Sequence, residues 1–542
     1  MTLDVNSADN FYMNGYAVDR IFFHGVEIWP NYVNNKNTWF YITPVASSGD
    51  LDINLSSGSS IEYSKDTVNW ITDTNTTTTV SVSAGEKVYF RNTIGTTTNG
   101  FSLNPDFNYS VGGNLSSLYY GSGFNGQIIL DFDINTNGKT NYTYLFANST
   151  NLIFANNLII PFGRYADYDY NSIRYFYTYC YSMFEGCTNL RTPPNITIMT
   201  SENRPSDATE KDRINGFGSM FKNCTSLQYV PNFPTNFEQL DWAILNDGQS
   251  CLRHMFEGCE SLTSTLDFEG GYAPGAAFMY KNCRSLQTAP QIPFTRMSSN
   301  AASGFESMFE NCTSLTAAPE LSINEVGNWG SSDVSYNTVP GVCYKNMFKG
   351  CTSLRRVQSS LPATNLNGMC YEGMFEGCTS LVSAPALPAT NAPYMCYHRM
   401  FYGCTSLVNV PSILPAQTLS GYYCYGGMFQ ECTSLTQAPE LPATTLEQYC
   451  YEYMFQGCTS LTSAPELPAA ELQTGCYQYM FSNCPSLNYI KCLATRKYYS
   501  ATDCTSNWTD GVSQTGTFIK KLLATWSRGV NGIPNGWTIQ DV

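Results

Sequence analysis

Apolar and polar positions follow three regimes along the chain. Between residues 38 and 112 they alternate in short runs, TWFYITPV, LDINL, SIEYS, TVSVSAGEKVYFRN and GFSLN, separated by Gly, Ser, Asn and Thr. A period of two broken by turn residues predicts short antiparallel strands, and hence a small all-β sandwich or jelly roll. From Leu145 to Leu487 the pattern instead returns as a whole sentence. Its clearest copies are CYEGMFEGCTSLVSAPALPAT from Cys370, CYGGMFQECTSLTQAPELPAT from Cys424 and CYEYMFQGCTSLTSAPELPAA from Cys450. Repetition at a fixed period fixes the architecture before any other argument, because each copy must bury its apolar face against its neighbours. Beyond Leu487 the pattern changes. Asn488–Ile490 continue one last strand, and the rest is expected to cap the exposed core.

The register follows a Met-Phe pair, at Met183, Met220, Met255, Met308, Met347, Met374, Met400, Met428, Met454 and Met480. Met279-Tyr280 is a variant copy and Leu145-Phe146 a degenerate first one, which makes twelve units. The last five steps are 27, 26, 28, 26 and 26 residues. Earlier steps are less regular, with inserts near 195–215, 232–249 and 322–342. Within a copy, Cys370, Tyr371, Met374, Phe375 and Cys378 stand at offsets that share one side of a helix of about two turns. The residue before the second Cys is Gly377, Gly403, Gly457, Asn311 or Asn483, types that reach the left-handed conformation ending a helix. Glu431 departs from that rule. A Thr-Ser-Leu step and Pro-containing segments such as Ala464–Pro468 follow. Proline lacks a donor, so each parallel strand is limited to a few residues.

These readings give an α+β repeat solenoid of leucine-rich-repeat type preceded by a small all-β sandwich. The expected divisions are an N-terminal hairpin at 1–36, the β domain at 38–112, a junction at 113–142, the repeats at 143–487 and a C-terminal cap at 488–542. In the first of these, Arg20–Phe23 and Val26–Trp29 flank His24-Gly25, which reads as a hairpin with a two-residue turn. A short isolated hairpin is marginal in water. It needs a partner surface, either the next domain or an anchor on a virion or second chain.

The repeats resemble the BspA-type leucine-rich repeats common in surface proteins of gut bacteria and in their bacteriophages. The resemblance covers roughly residues 140–490, and its motif is long and specific. It implies a right-handed curved solenoid with a parallel sheet on one side, and adhesion or recognition instead of catalysis. The flanks, VDRIFFHGVEIWP from Val18 and SATDCTSNWTDGVSQTGTFIKK from Ser500, resemble segments of phage fibre-like and Bacteroides-type surface proteins that carry this repeat.

Charge changes the picture in one respect. The chain carries a net −15 with 13% charged residues, and 38 Tyr share the polar surface with Asn, Thr, Ser and Gly. Phosphate contact needs Lys and Arg clusters, so no nucleic-acid partner is expected. No stretch approaches 18 apolar residues, so no membrane insertion is expected. MTLDVNSADNFYMNGY shows neither a basic n-region nor an apolar h-region, which favours a virion protein made in the host cytoplasm over an exported adhesin.

Nineteen of the 21 cysteines lie between Cys180 and Cys484, many in pairs eight apart. On a helix such a pair is about 12 Å apart, too far for a disulfide, so buried thiols acting as small hydrophobes are expected. Only His24, His254 and His398 exist; no zinc spacing or nucleophile signature surrounds them, and no cofactor is expected. Glu320, Glu440 and Glu466 recur at one repeat position and read as a solvated stripe. Asp131, Asp133, Asn135 and Asn137 match the first half of a calcium loop, but Tyr144 stands where a bidentate Glu is required. Asn137-Gly138 is also a strong turn pair, and the turn is the preferred reading.

Taken together, the expectation is a non-enzymatic bacteriophage virion protein, a head or tail fibre or decoration protein. Its N-terminal region would contact other virion proteins, its solenoid would bind a host-surface glycan or protein, and it would form a homo-oligomer. The alternative is a bacterial cell-surface adhesin with the same repeats.

Overall fold

The computed structural model describes residues 38–55, 57–92, 101–115, 117–120, 144–162, 177–198, 217–231, 252–268, 275–298, 304–322, 342–497 and 501–542. It also describes short strands at 11–13, 16–18, 21–23, 26–29, 139–141, 166–169, 172–175, 271–272, 325–327, 334–336 and 338–339. Two compact units emerge: Met1–Glu210 with Asn223–Pro234, and Lys211–Lys222 with Thr235–Val542.

The first unit is built from β-structure. Phe11–Met13 pairs antiparallel with Tyr16–Val18, and Ile21–Phe23 with Val26–Trp29, where Phe23 stands opposite Val26. A three-stranded sheet follows, in the order Phe101–Pro105, Gly49–Leu55, Thr77–Val82. Its central strand shows why the period of two works. Leu51, Ile53 and Leu55 are buried. On the other face Asp50, Asp52 and Asn54 accept hydrogen bonds from the Ser81, Thr79 and Thr77 hydroxyls across the strand pair.

A seven-stranded sheet of the same unit is mixed. Tyr109–Asn114 pairs antiparallel with Phe40–Pro44 on one side and parallel with Leu152–Phe162 on the other. Leu152–Phe162 then pairs parallel with Asn195–Ile198. The alternating strands thus run without a break into the first strands of the repeat, and no sheet edge remains between them. The core is continuous as well, because Phe40 lies 6.2 Å from Phe146, which stacks on Phe184 at 5.2 Å.

In the second unit the α part of the expected α+β class is wrong. Among the described residues the only helix is Ser117–Tyr120, in the first unit. Each copy instead climbs in four-residue turns. The amides of Met369, Tyr371, Gly373, Phe375 and Gly377 donate to the carbonyls of Tyr394, Cys396, His398, Met400 and Tyr402 in the next copy. The alternate amides of Glu372, Met374, Glu376 and Cys378 donate three residues back. Every fourth residue adopts left-handed backbone: Met369 at φ 60°, Gly373 at 59° and Gly377 at 72°. An α-helix would turn each amide onto its own chain; here half of them hold the neighbour. Left-handed backbone costs roughly 1–2 kcal/mol per non-glycine residue. The intercopy bonds offset that cost even at Val342, Tyr453 and Glu431.

The offsets that suggested a helix belong to these turns, since a four-residue turn repeats the same inward positions as a short helix. Cys370, Tyr371, Met374, Phe375 and Cys378 are all buried, as is every Met of the register from Met183 to Met480. Two columns of stacked rings fill the core of the second unit. One runs from Phe221 through Phe256, Tyr280, Phe309, Phe348, Phe375, Phe401, Phe429 and Phe455 to Phe481. The other runs from Phe305 through Tyr344, Tyr371, Tyr397, Tyr425 and Tyr451 to Tyr477. Opposite the turns the copies meet through parallel strands of two residues and single bridges, such as Asn391–Ala392 with Thr418–Leu419 and Ser360 with Ala386.

The C-terminal segment goes on repeating beyond Leu487. Asp503, Asn507 and Gly511 take up the left-handed positions. The amides of Tyr477, Tyr479, Phe481 and Asn483 donate to the carbonyls of Cys504, Ser506, Trp508 and Asp510. Thr517–Lys520 extends the parallel sheet from Tyr489–Cys492, and Thr538–Asp541 closes it. Trp508, stacked on Tyr477 at 6.1 Å and on Trp526 at 5.4 Å, ends the ring columns. Its indole N–H donates to the Gly532 carbonyl.

Candidate binding face

The turns leave one face of the second unit to side chains that do not serve the core. In each copy these sit just before the first Cys, two and three residues after it, and two before the second Cys. In consecutive copies the position two after the first Cys holds Lys345, Glu372, His398, Gly426, Glu452 and Gln478. The next position holds Asn346, Gly373, Arg399, Gly427, Tyr453 and Tyr479. Intercopy hydrogen bonds fix the spacing, so like positions stack one copy apart.

Charges on this face obey a register. Lys222 pairs with Glu257 at 3.1 Å, Lys281 with Glu310 at 3.0 Å, Lys345 with Glu372 at 3.0 Å and Lys349 with Glu376 at 3.1 Å. In all four the lysine and the glutamate occupy the same position in consecutive copies. Arg399 adds a second cation to Glu376 at 3.4 Å and lies 4.0 Å over the Tyr402 ring. Glu372 and Glu376 are therefore half-buried partners, not free surface residues.

Further along, the face changes character. Tyr423 stacks on Tyr449, and Tyr453 on Tyr479, both at 4.9 Å with ring planes within 8°. Tyr394 and Tyr422 stand 45% and 46% exposed beside them, enough for a ring to meet a partner. Glu452 belongs to this cluster. Its half-buried carboxylate has neither an ion pair nor a hydrogen bond among the described residues, and burial pushes its pKa up to about 7. The Tyr423 and Tyr453 hydroxyls are pushed up too, first by burial and then by the Glu452 charge.

The residues singled out in the sequence fall elsewhere. Asp131, Asp133, Asn135, Asn137 and His24 lie outside the described residues, as does most of the three inserts. His254 Nδ1 lies 2.6 Å from Glu257 while its ring stacks on Phe278. His398 sits 4.0 Å from Glu372, and its pKa is pushed down to about 4 by burial and by Arg399 and Lys345. Glu320, Glu440 and Glu466 stand exposed at one repeat position, and Glu466 pairs with Lys491 at 2.8 Å. Among the described residues no group of three or more His, Cys, Asp or Glu could hold a metal ion.

Among the described residues twenty cysteines are buried and free. The helical distance argument falls with the helix, but another account replaces it. Second cysteines donate to a Phe carbonyl one copy back, as Cys378 does to Phe348 and Cys458 to Phe429, both at 3.1 Å. Burial pushes thiols such as Cys404 up to about 12, so the reactive thiolate is suppressed.

Residues 375–504 match the family model of the BspA type leucine-rich repeat region, in six copies. Repeats of this type point to surface adhesion or binding. No curated protein matches the chain. The match ends at Cys504, where the structure continues the same hydrogen-bond register through Gly511. The tyrosine cluster lies within the matched residues, on positions that the core leaves free to vary. Sequence reading missed it because it followed the positions that recur, the core and the solvated stripe of Glu320, Glu440 and Glu466, and not the positions that vary. The signal was the run Lys345, Glu372, His398, Gly426, Glu452, Gln478, which drifts while the core stays fixed.

Proposed function

We propose that the chain is a recognition module without catalytic activity, in which the repeats form a curved solenoid that presents its turn face to a ligand on a cell surface. The family match carries this reading. A stack held by intercopy hydrogen bonds and ring columns is a stiff scaffold, and its free positions gather aromatic rings. Exposed tyrosine supplies contact area at low entropic cost, which suits binding.

The narrower reading is a bacteriophage fibre or decoration protein, attached to the particle by the residues before the first β domain. It is supported by the likeness of Val18–Pro30 and of the C-terminal flank to fibre-like segments, and by the two short strand pairs that precede residue 38. Two measurements test it. Labelled protein should bind host cells saturably, and protein lacking residues 1–36 should still bind them while failing to join particles. Absence of saturable binding to any host surface would overturn the recognition reading. Recovery of the native chain in the bacterial envelope, and not in particles, would overturn the virion reading and favour an adhesin.

A further inference from the structure

The ion-pair register of the turn face makes Glu452 anomalous. Each of the four Lys–Glu pairs joins the same position in consecutive copies. Applied to Glu452, that register puts the cation at residue 426, which is glycine. The copy after Glu452 offers Gln478, also uncharged. Glu306 has Ala277 before it, but Lys345 follows; Glu452 has a cation on neither side. The seat that a lysine side chain would fill is thus open beside a carboxylate that no described residue neutralises.

Its walls suit a cation. The Glu452 charge acts on Tyr423 and Tyr453, and each of these rings stacks on a second tyrosine, Tyr449 and Tyr479. Tyrosine rings attract a positive charge through their quadrupole, more strongly where water is partly excluded. A neutral guest would leave the carboxylate desolvated and unpaired, whereas an ammonium would give it the partner that its counterparts have. We propose that Glu452, Tyr423, Tyr449, Tyr453 and Tyr479 form a binding site for an alkylammonium group, which takes the seat left open by Gly426. This deepens the recognition reading and rests on it, since the site would be one contact point on the turn face.

The charge state of the site follows from its neighbours. Burial and the Glu452 charge push the Tyr423 and Tyr453 hydroxyls up, so both stay neutral at physiological pH. His398, one copy before Gly426, is neutral above about pH 4. Arg399, in that same copy, is committed to Glu376 and the Tyr402 ring. Ammonium binding therefore strengthens as pH rises through the Glu452 midpoint near 7.

The test is a titration of the full chain, with tyrosine rings and glutamate carboxyls isotope-labelled for NMR. The probes are n-butylammonium, tetramethylammonium and n-butanol, at sodium chloride matched for ionic strength. An ammonium should shift the Tyr423 and Tyr453 rings saturably and lower the Glu452 midpoint, while n-butanol does neither. A stronger response to n-butylammonium assigns a lysine-like amine as the source, and a stronger response to tetramethylammonium a quaternary headgroup. Glu452→Gln should weaken the response about tenfold or more, the loss of a desolvated charge contact. Gly426→Lys should abolish it by filling the seat from within. Gly426 lies outside the left-handed positions, and an added Cβ meets the edge of the His398 ring at 3.1 Å and the Tyr423 backbone at 3.4 and 3.6 Å. An equal response to n-butanol, or a response unchanged in both variants, would overturn the proposal. Neither result would bear on saturable cell binding, so this site and the recognition reading fail separately.

Discussion

Two stretches of one unit, Val342–Cys404 and Tyr423–Asn483, share a backbone and a core but not a surface. Both place left-handed residues at every fourth position and donate alternate amides to the next copy. In both, the same Cys, Tyr, Met and Phe positions are buried. On the turn face the first stretch closes its charges internally, through Lys345–Glu372, Lys349–Glu376 and Arg399–Glu376. The second carries paired tyrosines and, in Glu452, a half-buried carboxylate with no partner among the described residues. The contrast separates stability from recognition. The intercopy hydrogen bonds use main-chain atoms and the core uses inward positions, so the outward positions are free to carry function.

The largest effects should be common to both stretches. Phe375→Ala and Phe455→Ala should each cost about 2–5 kcal/mol, as buried large-to-small changes do, measured by chemical denaturation. A much smaller cost at one of them would break the claim of a shared core. The thiols should agree with this: native protein should react slowly with a thiol reagent in either stretch, and denatured protein should titrate close to 21 thiols.

Next come the charges, where the stretches should part. Glu376→Gln removes the partner of two cations and should cost about 1 kcal/mol. Glu452→Gln should leave stability unchanged or raise it at pH 8, because it removes a desolvated charge that nothing offsets. Equal losses in the two variants would show that Glu452 has a partner after all.

The smallest effects concern pH. The Glu452 carboxyl has a folded midpoint near 7, above the ordinary 4.5. The folded state therefore binds the proton more tightly, and Glu452's contribution is full below about pH 4.5 and lost as pH rises through 7. His398 acts in the opposite sense. Its midpoint falls from 6.5 to about 4, so its contribution is full above 6.5 and lost as pH falls toward 4. Thermal unfolding of Glu452→Gln and His398→Gln across this range should change the slope in opposite directions. Identical slopes would remove the distinction between the two sites.

Much of this organisation was legible in the chain. The Met-Phe register, the inward Cys and Leu positions and the proline-shortened strands all follow from local chemistry that repeats. The four-residue turn was not legible, because left-handed backbone at Val342, Met395 or Tyr453 runs against local propensity and is held by bonds to another copy. Nor was the joining of Tyr109–Asn114 to Leu152–Phe162, a parallel pairing across a long separation that no local pattern signals. Trp508-Thr509 hid a further copy by standing where the motif has Met-Phe. At the binding face, Glu452 looked like any surface glutamate until its register partner could be named. Once like positions are known to stack, Gly426 in the lysine position marks the site in the sequence itself.

The most direct measurement is the carboxyl titration of Glu452 in the wild-type protein and in Gly426→Lys. If the face lacks one cation at residue 426, the wild-type midpoint lies near 7 and the lysine variant brings it down. A wild-type midpoint at the ordinary glutamate value, unmoved by the lysine, would contradict the account.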